Sequence, residues 1–75
     1  MEVVKVLNLK GLSCPMPIIR TKQEIDRLNS GEVLEVHVTD QGALTDLPAW
    51  AKAGGHKILE HREESDGMMF FIQKG

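Results

Sequence analysis

Seventy-five residues, 41% hydrophobic and 27% charged, suffice for one small domain with a thin core, residues 1–75, and exclude a multidomain enzyme or a deep substrate cavity. The net charge of −2 argues against a general nucleic-acid binder, which presents an excess of cations to phosphate. One cysteine rules out an internal disulfide and favours a reducing compartment; with no signal-peptide pattern and no apolar run of spanning length, the expected location is cytoplasmic.

Val3 to Leu9 is short and rich in β-branched and aliphatic residues, which predicts a strand. From Pro17 to Leu28 the apolar residues Ile18, Ile25 and Leu28 fall near helical spacing, and Asn29-Ser30-Gly31 supplies a stop, so an amphipathic helix is predicted. Glu32 to Thr39 alternates, with Leu34, Val36 and Val38 on one face and Val33, Glu35, His37 and Thr39 on the other, as a strand open to water on one side requires. Leu47, Trp50, Ala51 and Gly54 at i, i+3, i+4 and i+7 predict a second helix, with Thr45 or Asp46 as N-cap and Pro48 in the first turn. Lys57 to Glu64 and Met68 to Lys74 flank Asp66-Gly67, a hairpin signal, and Met68, Phe70 and Ile72 give the last strand an apolar face.

The order is βαβαββ. It implies an α/β two-layer sandwich in which a four-stranded mixed sheet carries two helices on one face, the other face staying comparatively polar. That solvated face, holding Glu35, His37 and Thr39, favours a monomer.

The stretch Gly11-Leu12-Ser13-Cys14-Pro15-Met16-Pro17 stands out, with two prolines one residue apart just before a helix. Early helical N–H groups have no intrahelical acceptor, so both rings fit the first turn and Cys14 falls at or just before the N-cap. There the helix dipole favours the thiolate, and Lys10, Arg20 and Lys22 add positive potential, so a depressed thiol pKa is expected. Position alone leaves two readings open: a reactive, exposed thiolate, or a small buried hydrophobe that precedes a helix by coincidence.

These residues, with Thr21-Lys22, Gly31-Glu32, Leu34-Glu35-Val36, Thr39-Asp40 and Asp46-Leu47-Pro48-Ala49, resemble the TusA/SirA/YedF family of small sulfur carriers over nearly the whole chain. Asn8, where that family often has Asp, and Gln41-Gly42, where it commonly has Pro after Asp, depart from the pattern. The resemblance implies a βαβαββ sandwich whose catalytic cysteine, here Cys14, takes up sulfane sulfur as a persulfide and passes it on. Gly11, Pro15, Pro17, Lys10, Arg20 and Lys22 would support it. The implied partners are a sulfur-donor protein, a cysteine desulfurase or rhodanese-like enzyme, and a sulfur-acceptor protein, with tRNA thiolation among the downstream uses. No cofactor is expected on this chain, and neither nucleic acid nor a membrane is an expected partner. With one cysteine, discharge needs a second molecule.

Weaker signals read as structural. His37, His56 and His61 lack metal-ligand spacing, so no metal is expected. Asp40 and Asp46 are explained by a turn and a helix cap. Trp50, Phe70, Phe71, Met68 and Met69 read as packing, with Phe71 held in reserve as a partner contact. The rival functions are a noncatalytic RNA-binding or regulatory module and a single-cysteine redox sensor.

Overall fold

A computed structural model describes residues 2–75. Strand β1 (Val3–Leu9) leads through a loop to helix α1 (Met16–Ile25), then β2 (Val33–Val38), α2 (Ala43–Ala53), β3 (Lys57–Glu64) and β4 (Gly67–Gln73). The strands lie in the order β1-β2-β4-β3; β1 runs parallel to β2, and β4 pairs antiparallel with both β2 and β3. β3 therefore points the same way as β2, and the last strand inserts between them. The mixed sheet under two helices matches the sandwich expected from the element order.

The helices cover one face. Leu34, Val36 and Val38 of β2 and Phe70 and Ile72 of β4 are buried there with Ile25 of α1 and Ala43 and Leu47 of α2. Period-two alternation in β2 thus delivers one complete row of side chains to the core. In α1 the inward stripe is Pro17, Thr21 and Ile25, at a spacing of four. The Lys5 ammonium of β1 reaches Glu24 of α1 at 2.9 Å across the edge of this layer.

The uncovered face is less polar than its sequence suggests. Met69 and Phe71 alternate with the core residues of β4 and pack with Val33 and Val3 into a second apolar cluster. Charged side chains of β2 and β3 roof it: the Arg62 guanidinium lies 5.8 Å from the Phe71 ring centre and bonds Glu60, while His37 bonds Glu35 and Glu64. Long polar side chains cover apolar floor with their stems while keeping their heads in water. Phe71, only 8% exposed, does not present itself as a partner contact.

Both helices deviate from the predicted bounds for local reasons. α1 closes at Ile25, and its last turn tightens through N–H groups of Arg27 and Leu28 donated to the carbonyls of Glu24 and Ile25. α2 begins three residues before Asp46, because the Asp40 carbonyl accepts the Ala43 N–H at 3.1 Å and the Gly42 carbonyl accepts those of Thr45 and Asp46. Pro48 consequently lies inside the helix rather than in its first turn, and Asp46 belongs to the first helical turn instead of capping it.

Candidate functional site

Parallel pairing of β1 with β2 brings the carboxyl ends of both strands to one end of the sheet, so the loops leading into α1 and α2 are neighbours. Alpha/beta folds commonly place chemistry at such an end. The β1–α1 loop is anchored there by Gly11, whose N–H donates to Thr39 Oγ1 at 2.9 Å beyond the end of β2. Gly11 has φ +86, a left-handed conformation that glycine adopts without strain. The Leu12 N–H donates to the Leu9 carbonyl at 3.2 Å, closing the turn that carries the chain toward Cys14.

Cys14 is exposed and precedes the N-cap residue Pro15, as the position of the prolines predicts; the peptide bond between them is cis. Its electrostatics reverse the expectation. The thiol pKa is raised above the ordinary value, first by partial desolvation and then by the negative charges of Asp46 and Asp40, and Asp46 Oδ2 accepts the thiol hydrogen bond at 3.8 Å. The helix start offers little to oppose this. Pro15 and Pro17 have no N–H, and the Met16 N–H is already donated to the Ser13 carbonyl at 2.9 Å.

The expected cationic surroundings are likewise dispersed. Lys10 Nζ bonds Asp66 Oδ2 of the β3–β4 turn at 2.9 Å, and Lys22 Nζ bonds Asp26 Oδ2 at 2.8 Å one turn along α1. Arg20 is exposed on α1 and has no ion pair among the described residues. Pro17 is buried as the first member of the inward stripe of α1. Of the six residues expected to support Cys14, Gly11, Pro15 and Pro17 thus shape the loop and helix start, whereas Lys10 and Lys22 hold carboxylates elsewhere.

Two features escape sequence reasoning. Asp46 stands 32 residues downstream and reaches the sulfur only because parallel strands align the two loops; nothing in its local pattern distinguishes it from a helix cap. Met16 and Ile19, one helical turn apart and at least a third exposed, lie on α1 off its buried stripe. Their signal was available in the spacing, since both fall off the Pro17-Thr21-Ile25 stripe. Among the described residues no three His, Cys, Asp or Glu side chains converge as metal ligands, and no helix is long and apolar enough to cross a membrane.

Residues 5–74 match the family model described as sulfurtransferase TusA. YrkI of Bacillus subtilis (strain 168) is 57% identical over 75 residues, with both chains covered completely. The sulfur carrier protein TusA of Allochromatium vinosum is 41% identical over 68 residues, covering 91% of this chain and 90% of that protein. The crystal structure of a SirA-like protein from Desulfitobacterium hafniense superposes with a TM-score of 0.79 at 25% identity, over 93% of this chain and 95% of its own. The chain belongs to the TusA family of sulfurtransferases.

Proposed function

We propose that this protein is a cytoplasmic, monomeric sulfur carrier acting as a single domain, with Cys14 taking sulfane sulfur as a persulfide from a cysteine desulfurase or a rhodanese and delivering it to an acceptor protein. The observation that carries this reading is the chain's one cysteine, exposed in the loop where the family motif Gly11-Leu12-Ser13-Cys14-Pro15-Met16-Pro17 enters α1. A thiol buried under the sheet would not meet a partner's sulfur; this one is exposed to solvent.

In loading, the Cys14 thiolate attacks the outer sulfur of the donor persulfide. A bond forms between Sγ and that sulfur, the donor's own sulfur–sulfur bond breaks, and its electron pair leaves with the donor thiolate, which takes up the proton Cys14 lost. Delivery repeats the exchange, with Cys14 as leaving group and the acceptor as nucleophile. The sulfane sulfur changes hands without an external oxidant or reductant. Sulfurtransferase describes this relay, and tRNA thiolation is one use for the delivered sulfur.

The redox-sensor alternative is disfavoured by the site itself. Sensor thiols are accessible and low in pKa, whereas desolvation and the charges of Asp46 and Asp40 raise the pKa of Cys14. Intact-mass spectrometry tests the carrier reading: the reduced protein is incubated with a cysteine desulfurase and cysteine, and separately with a rhodanese and thiosulfate, alongside Cys14→Ser. Gain of one sulfur atom in the native protein and none in the variant is expected. An unmodified native protein with both donors would contradict it.

A further inference from the structure

Asp46 and Asp40 converge on Cys14 from the start of the second helix and the loop before it. Asp46 Oδ2 is 3.8 Å from Sγ, and a side-chain carbon at Gly42 would stand 3.3 Å from Asp40 Oδ2 and 3.6 Å from Asp46 Oδ2, so the two carboxylates flank the same N-cap residue. The Gly42 N–H donates to Asp40 Oδ1 at 3.4 Å, which holds that side chain over the turn. These are the charged groups that act on the sulfur. The cations of the adjoining elements are committed elsewhere, Lys10 to Asp66 and Lys22 to Asp26, and Arg20 stands exposed on α1.

A carboxylate is not a base for such a thiol. The two classes titrate about five units apart, so the proton stays on sulfur and the carboxylate serves as its hydrogen-bond acceptor. Two negative charges beside a sulfur disfavour a third. The arrangement suits a resting state, not an attacking one.

We propose that Asp46, backed by Asp40, is a positioning residue that holds the Cys14 thiol protonated in the free carrier, and that a lysine or arginine of the sulfur donor releases it by taking over the Asp46 carboxylate on docking. This deepens the carrier reading and rests on it. In the docked pair the donor cation neutralises Asp46, the thiol proton passes to the departing donor sulfur, and Sγ forms its bond to the outer sulfur as the donor's sulfur–sulfur bond breaks. Selectivity follows: a neutral thiol-reactive molecule in solution meets a protonated sulfur, while a donor bearing the cation meets a nucleophile.

The test measures two rates in native protein, Asp46→Asn and Asp46→Glu: alkylation of Cys14 by iodoacetamide across pH, and single-turnover loading by a cysteine desulfurase with cysteine. In Asp46→Asn the alkylation midpoint moves to lower pH. For a shift of one unit the thiolate fraction at neutral pH rises tenfold while intrinsic nucleophilicity falls, leaving alkylation about threefold faster. Loading by the enzyme slows, because its cation has lost its counterpart, and Asp46→Glu restores both behaviours at least in part. Asp40→Asn moves the midpoint in the same direction by less, with circular dichroism showing all variants folded. An unmoved midpoint, or alkylation and enzymatic loading rising together in Asp46→Asn, overturns the proposal. Native protein that takes no sulfur overturns the carrier reading instead, and leaves the alkylation midpoint to stand by itself.

Discussion

Cys14 combines exposure with a thiol pKa raised by desolvation and by the charges of Asp46 and Asp40. Helix-start geometry, which by itself favours a thiolate, is outweighed here by desolvation and by the charges of Asp46 and Asp40. A second residue-scale feature lies under the same helix. Thr21 is fully buried in α1 and its hydroxyl has no hydrogen-bond partner among the described residues. An unpaired buried hydroxyl costs about 1–3 kcal/mol of desolvation, so Thr21→Val, which keeps the branched shape, should leave the protein equally stable or more stable by up to about 1 kcal/mol. Thermal melting reads this as a midpoint unchanged or raised by several degrees. A lowered midpoint would show that the hydroxyl has a partner in solution.

At the scale of elements, the β3–β4 hairpin brings its turn to the end of the sheet that carries Cys14. Gly67 opens β4 with φ +152, and a side-chain carbon there would overlap the Val38 carbonyl oxygen of β2. Gly67→Ala should therefore destabilise by more than about 1 kcal/mol, through strain in the native backbone and a shifted β2–β4 register. Chemical denaturation measures the loss, and an unchanged midpoint would contradict the close approach. The β1–α1 contact has an acid-sensitive tie. The Glu24 carboxyl, 15% exposed, is held below the usual carboxylate range by its hydrogen bond from Lys5, with the charges of Lys5 and Arg27 adding to the effect. Lys22 and Lys10 lower Asp26 and Asp66 in the same way. A depressed carboxyl contributes stability above its unfolded value that is lost as pH falls through the folded one, so stability should decline from about pH 4.5 downward. In Glu24→Gln that decline should be shallower; the same slope in both proteins would show that the tie contributes nothing.

Across the whole molecule, what was legible in the sequence was what local physics decides. Alternation placed Leu34, Val36 and Val38 in the core, the Ser65-Asp66-Gly67 signal closed the hairpin, and the breakers separated the elements although both helix bounds shifted, so the βαβαββ sandwich followed. The strand order, the apolar patch of Val33, Met69 and Phe71 on the open face, and the convergence of Asp40 and Asp46 on Cys14 were not legible, because each depends on which strands become neighbours. An aspartate capping a turn and an aspartate holding a thiol have the same local pattern; only the parallel β1–β2 pair distinguishes them. Whether sulfur travels on Cys14 is read by peptide mapping. After incubation with a cysteine desulfurase and cysteine, and separately with a rhodanese and thiosulfate, the protein is alkylated and cleaved after Lys10 and Arg20, releasing residues 11–20. This peptide is expected to carry one additional sulfur beneath the alkyl group, from at least one donor. A peptide alkylated directly on Cys14 after both treatments, with no added sulfur, would contradict it.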